Sequence, residues 1–133
     1  MNIAVILAGG SGSRLGRDCP KQFLKVAGKL IIEHTIDVFE HHNRVDEIAV
    51  VCKEEYIQQI ESLILKNKYT KLHKVLVGGK ERYHSSLSAI AAYQNDDDNL
   101  IFHDAVRPLV TARIIDDCLD AMSHYRAIDV AIK

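Results

Sequence analysis

Cysteine, net charge and long apolar runs are all scarce in this chain, and each shortage closes off a class of protein. The three cysteines, Cys19, Cys52 and Cys118, are an odd number set far apart. They fit neither a disulfide framework nor a metal-site spacing. Lysine and arginine together number 17 against 18 acids, a formal net charge of -1. No bulk positive field exists to hold nucleic acid or an anionic membrane, so any polyanion must be gripped locally. No run approaches the roughly 18 apolar residues of a membrane span. The start, Met1-Asn2-Ile3-Ala4, lacks the basic and apolar regions of a signal peptide. The expectation is a cytoplasmic protein with neither nucleic acid nor membrane as partner. The histidines show no ligand spacing that argues for zinc. Repeats, low-complexity tracts and interdomain linkers are also missing.

What is present suits one domain. Of 133 residues, 47% are apolar and 26% charged, enough for a core and too hydrophobic for disorder. Apolar runs of strand length at residues 3–7, 47–52, 75–77, 100–102 and 128–132 alternate with helical patterns. The helices are expected at 30–42, 54–66, 81–94 and 111–124. The first carries Ile31, Thr35, Val38 and Phe39 on one face, and the third carries Leu87, Ile90 and Ala91 as its stripe. Thr111 is placed to cap the last helix, which buries Ile114, Ile115, Cys118, Leu119 and Met122. Continuous apolar strands are buried on both faces, as in a parallel sheet. Alternation of this kind gives an α/β fold, mostly parallel, with helices on both faces. Ligands in such sheets sit beyond the carboxyl ends of the strands, where strand order reverses. Functional residues are therefore expected after Leu7, Val77 and Phe102.

The first of those ends reads Leu7-Ala8-Gly9-Gly10-Ser11-Gly12-Ser13-Arg14-Leu15-Gly16. Such a loop lets backbone amides converge on a phosphate. A dinucleotide fingerprint fails, because Leu15 stands where the third glycine belongs and the second strand ends in Cys52-Lys53 without a carboxylate. A Walker A loop fails for want of Gly-Lys-Ser/Thr at the required spacing. Distinctive instead are Arg14 within the loop and Pro20-Lys21 just after it. Two cations beside amide donors suit a triphosphate and the charge that builds on phosphorus during substitution. The plainer reading is a glycine-rich turn with Arg14 and Lys21 facing solvent.

After Val77 the chain reads Gly78-Gly79-Lys80-Glu81-Arg82-Tyr83-His84-Ser85-Ser86, a glycine turn opening a helix. The unpaired amides there suit a base edge or a phosphate, although the serines equally serve as caps. After Phe102 comes His103-Asp104-Ala105-Val106-Arg107-Pro108. Asp104 at that edge suits Mg²⁺, which takes one or two carboxylates plus substrate phosphates; the alternative is an Asp104–Arg107 ion pair shaping the turn. His103 is read as structural, since an attacking phosphate needs no base at neutral pH.

These residues carry a resemblance. The run from Leu7 to Gly16, Pro20-Lys21-Gln22-Phe23-Leu24, Gly78-Gly79-x-x-Arg82-x-x-Ser85 and His103-Asp104-Ala105-Val106-Arg107-Pro108 together resemble the cytidylyltransferases acting on polyol phosphates. That family includes the enzyme for 2-C-methyl-D-erythritol 4-phosphate in isoprenoid synthesis and the enzyme for D-ribitol 5-phosphate in capsule and teichoic acid synthesis. The resemblance implies a Rossmann-like nucleotidyltransferase fold and a reaction of CTP with a polyol phosphate. Leu7, Ala8, Gly9, Gly10, Ser11 and Gly12 would hold the CTP phosphates, and Arg14 and Lys21 the transition state. Gly79, Lys80 and Ser85 would lie around the cytosine and ribose. Asp104 would bind Mg²⁺, and Arg107 would shape that site or touch substrate. Ala8-Gly9-Gly10, where the isoprenoid enzyme more often has Ala-Ala-Gly, and Lys80, where it often has aspartate, tilt the reading toward ribitol phosphate. A non-catalytic nucleotide-binding module would keep the glycine loop but lose Arg14 or Lys21, and both are present.

The resemblance also implies a longer chain. Residues 1–133 are expected to be the CTP-binding, N-terminal part of a cytidylyltransferase domain, with a further half of the sheet and a dimerisation arm beyond. The full-length protein is expected to be a homodimer, in some relatives followed by a reductase domain. The 133 residues alone are expected to turn over weakly or not at all.

Overall fold

The computed structural model describes residues 1–8, 21–79, 82–94, 97–107, 109–121 and 127–129. In chain order these form β1 (Asn2–Ala8), a short 3₁₀ turn (Lys21–Phe23), β2 (Lys25–Val26), β3 (Lys29–Leu30) and α1 (Ile31–Glu40). There follow β4 (Glu47–Cys52), a second 3₁₀ turn (Glu54–Tyr56), α2 (Ile57–Asn67), β5 (Leu72–Val77) and α3 (Arg82–Ala92). The series ends with β6 (Asn99–Asp104), α4 (Ala112–Ala121) and β7 (Ala127–Asp129).

Five strands make one sheet in the order β5-β4-β1-β6-β7, and every pairing in it is parallel. The sequence reason is visible in β4, whose six residues Glu47–Cys52 are all buried. A strand without a polar face must be covered on both sides. Alternate residues of β1 divide two cores. Ala4, Ile6 and Ala8 pack with Ile36 and Phe39 of α1, Ile60 of α2 and Ile115 of α4. Ile3, Val5 and Leu7 pack on the opposite face with Val51, Phe102, and Ala89 of α3.

Each expected helix forms, with shifted ends. The 54–66 pattern opens as a 3₁₀ turn before α2, and β5 starts at Leu72 rather than residue 75. The stripe read on α3 is wrong: Leu87 is 55% and Ile90 46% exposed, whereas Ser85, Ala89 and the following Tyr93 are buried. Small residues bring this helix close to the sheet, and that closeness outweighs the larger apolar side chains one turn round. Thr111 does cap α4, its Oγ1 accepting the Ile114 N–H at 3.3 Å. The hairpin β2–β3 had no counterpart in the sequence reading; its turn residues Ala27 and Gly28 have φ of 53° and 83°. Residues 122–124 of the expected last helix, Met122 among them, and residues 130–132 of the expected last strand lie outside the described residues.

Candidate active site

The sheet order places the site. From β1 the chain steps outward to β4 and β5, then returns across β1 to β6, so strand order reverses between β1 and β6. The register sets Leu7 opposite Asp104, Ala8 opposite Cys52, and Cys52 opposite Val77. The three strand ends singled out in the sequence therefore lie along one edge of the sheet. Leu7 and Ala8 are buried, at 7% and 3% exposure, and form the root from which the glycine loop departs. Gly9, Gly10, Ser11, Gly12, Arg14 and Lys80 lie outside the described residues.

Lys21 is exposed at the start of a 3₁₀ turn whose next two residues, Gln22 and Phe23, are buried. Gln22 donates from Nε2 to the Ala8 carbonyl at 3.0 Å, and Phe23 packs its ring 5.2 Å from that of Tyr56. Beyond β5, the Gly78 N–H donates to the Cys52 carbonyl at 2.8 Å, continuing the ladder into the turn. A Cβ on Gly78 would stand 2.4 Å from Ser85 Oγ, and one on Gly79 2.4 Å from His84 Cβ. The glycines are what allow the turn to lie against α3. Ser85 is buried and inside α3, not at a capping position. Ser88, one turn later, donates to the Val77 carbonyl at 2.9 Å.

The Asp104–Arg107 segment is held from several sides. Its Ala105 N–H donates to the Leu7 carbonyl at 2.9 Å, and the buried Thr35 hydroxyl donates to the Ala105 carbonyl at 2.8 Å. His103, fully buried and 5.6 Å from the Phe39 ring, meets the Arg107 carbonyl through Nε2 at 2.7 Å. A carbonyl only accepts, so Nε2 is the donor in this contact, and Nδ1 has no partner among the described residues. His103 is thus a strut, as the sequence suggested. Arg107 Nε lies 3.3 Å from Asp104 Oδ2, so the ion pair weighed as an alternative does form. It leaves the Asp104 side chain 27% exposed at the sheet edge.

No group of three or more His, Cys, Asp or Glu side chains is arranged to hold a metal by itself among the described residues. A single accessible carboxylate fits Mg²⁺ in the manner that relies on substrate phosphates for the other ligands. Cys52 also reaches this edge, but burial pushes its thiol up to about 11, which makes it a poor nucleophile.

Lys21, Asp104 and Arg107 stand out in the sequence by their charge, whereas the residues that mount them do not. Gln22 stands in Pro20-Lys21-Gln22-Phe23 as an uncharged residue with no sequence sign of its partner. Thr35 was counted as part of an apolar helix face, and a hydroxyl at such a position is itself a signal of a buried partner.

The family model for 2-C-methyl-D-erythritol 4-phosphate cytidylyltransferase, IspD, matches residues 2–133. The bifunctional ribulose 5-phosphate reductase/CDP-ribitol pyrophosphorylase Bcs1 of Haemophilus influenzae is 47% identical over 98% of this chain and 28% of its own. A 2-C-methyl-D-erythritol 4-phosphate cytidylyltransferase of Thermobifida fusca is 38% identical over 97% of this chain and 53% of its own. The ribitol-5-phosphate cytidylyltransferase of Lactiplantibacillus plantarum is 41% identical over 99% and 59% respectively. Among solved structures, the 4-diphosphocytidyl-2C-methyl-D-erythritol synthase of Anaerococcus prevotii superposes with a TM-score of 0.75 at 24% identity. That match covers 93% of this chain and 51% of the other, and it speaks for the fold alone. The chain thus spans from 28% to 59% of the lengths of these curated relatives. With the strand ends that carry its three motifs on one edge of a parallel sheet and a family match running from residue 2 to residue 133, the chain belongs to the IspD cytidylyltransferase family.

Proposed function

We propose that the full-length protein transfers CMP from CTP to D-ribitol 5-phosphate, giving CDP-ribitol and pyrophosphate for capsule or teichoic acid synthesis. The observation that carries the choice of substrate is the 47% identity with the CDP-ribitol pyrophosphorylase relative, against 38% with that of Thermobifida fusca. The register of Leu7, Asp104 and Val77 along one sheet edge supports the reaction class, because the strand end from which the glycine loop departs lies opposite a carboxylate.

In this reading an oxygen of the ribitol phosphate attacks the α-phosphorus of CTP in line. The bond from that phosphorus to the bridging oxygen breaks, and the electron pair leaves with pyrophosphate. The attacking phosphate is already ionised at neutral pH, so no residue need take a proton, which accords with His103 being buried and engaged. Leu7, Ala8, Gly9, Gly10, Ser11 and Gly12 hold the triphosphate; Gly79, Lys80 and Ser85 hold the nucleoside. Arg14 and Lys21 face the charge that grows on the α-phosphoryl oxygens. Asp104 would hold Mg²⁺, which when bound would supply further neutralisation of phosphate charge, and Arg107 steadies the Asp104 carboxylate. The assembly is a homodimer.

Turnover decides the substrate. Purified full-length protein is given CTP with each polyol phosphate and pyrophosphate release is followed. Ribitol 5-phosphate is expected to give the higher kcat/KM, and a preference for methylerythritol phosphate would reverse the assignment. That second reading is favoured by the description of the matching family model. Lys21→Ala is expected to lower kcat by roughly 10²–10³, the scale of losing one charge stabiliser; unchanged kcat removes Lys21 from this role.

A further inference from the structure

We infer that Gln22 is a positioning residue for this reaction: its side-chain amide ties the Lys21 turn to the end of β1 and so fixes where Lys21 stands. The inference rests on the reading of Lys21 just given and adds to it an uncharged residue that acts through Lys21.

The three residues of the turn have opposite fates. Lys21 is exposed, while Gln22 is 2% and Phe23 8% exposed. A buried glutamine amide must find partners or cost the desolvation of its N–H groups. Gln22 finds one in the backbone of the strand on which the site is built, donating from Nε2 to the Ala8 carbonyl at 3.0 Å. Ala8 is the last residue of β1, one step past the pairing of Leu7 with Asp104. Two other described attachments of the turn are Phe23, which packs into the core against Tyr56, and the Leu24 carbonyl, which accepts the Ile31 N–H at 2.8 Å at the start of α1. Among the described hydrogen bonds, the Gln22 bond is thus the one that refers Lys21 to β1. A lysine side chain is long and flexible, so the origin of its backbone decides how often the ammonium is in place. A displacement of about 1 Å in a catalytic group can lower rate about 10²-fold.

The chemistry at position 22 is specific. The Ala8 carbonyl only accepts, so the partner must donate, and methionine is nearly isosteric with glutamine but has no donor. Asparagine keeps the amide one methylene short of the carbonyl.

A double-mutant cycle on the full-length protein tests the inference, with kcat and KM measured for Gln22→Met, Lys21→Ala and the pair. Gln22→Met is expected to lower kcat roughly 10–100-fold while KM for CTP stays within about threefold. In the Lys21→Ala background the same substitution should cause little further loss, because the residue it positions is gone. Two results overturn the inference while sparing Lys21: an unchanged kcat in Gln22→Met, or the same fold-loss with and without Lys21, which marks a general structural role. If Lys21→Ala itself leaves kcat unchanged, the reading of Lys21 fails and the inference falls with it. Should Gln22→Met not fold, as judged by circular dichroism, Gln22→Asn enters the same cycle with the same criteria.

Discussion

Gly79 shows how little freedom the site allows at single positions. A Cβ there would lie 2.4 Å from the Cβ of His84, an atom fixed to the backbone of α3. Nothing flexible can move aside, so Gly79→Ala must push the turn off the helix. The expected cost is about 1–3 kcal/mol, as for other overpacked positions, read as a lower urea midpoint at unchanged slope. Charged candidates such as Lys21 and Asp104 were legible in the sequence, since a charge beside a glycine turn or at a strand end is conspicuous. Gln22 and Thr35 were not, because what defines them is a carbonyl 14 or 70 residues away. An uncharged side chain advertises no partner. Glu33 was missed for a related reason. It is 1% exposed in α1, where its Oε1 accepts the Leu30 N–H at 2.9 Å and its Oε2 accepts from Asn67 at 2.9 Å.

At the scale of elements, Glu33 ties the start of α1 to the end of α2. Burial by itself pushes its carboxyl up, but the Leu30 amide, the Asn67 amide and Lys66 together outweigh burial and hold it below its ordinary 4.5. A folded value below the unfolded one contributes stability that is present above pH 4.5 and lost as pH falls through the folded value. Glu33→Gln should therefore be less stable than wild type at pH 7, with the gap narrowing below pH 4.5. Urea unfolding at pH 7 and at more acidic pH checks both halves of that statement. The β2–β3 hairpin offers a change of opposite sign. Its two turn residues both have positive φ, as a type I′ turn requires, yet the first is Ala27 at 53°. An alanine there is strained and an asparagine much less so. Ala27→Asn should raise stability by on the order of 0.5–1 kcal/mol, seen as a higher thermal midpoint. The Ala-Gly pair was too weak a signal to announce the hairpin, where Asn-Gly would have announced it. The α3 stripe failed because periodicity identifies an apolar face, whereas packing against Ile3, Val5 and Leu7 chose the face with small residues.

At the scale of the whole molecule, one sheet carries both the fold and the site. Among the described residues no helix is long and apolar enough to cross a membrane. If Asp104 holds Mg²⁺ against bound CTP, the two ligands should stabilise the full-length protein together. At a ligand concentration 100 times Kd the gain is about 2.7 kcal/mol, visible as a rise in thermal midpoint. Asp104→Asn should lose the part of that rise that depends on Mg²⁺ and keep the part given by CTP alone. An equal Mg²⁺-dependent rise in both proteins would exclude Asp104 as the ligand. The sequence alone was sufficient to determine that this is an alternating α/β chain, and to single out the segments after its first, third and fourth principal strands. Buried strands leave continuous apolar runs, and site residues cluster at their carboxyl ends, so both are local patterns. Only the tertiary structure decided that β1 lies between β4 and β6, that the strand ends share one edge, and that Gln22, Thr35 and His103 hold the Lys21 turn and the Asp104 segment in place. Strand order and buried hydrogen bonds join residues far apart in the chain, and they are settled by which arrangement covers the apolar faces and pairs most buried polar groups.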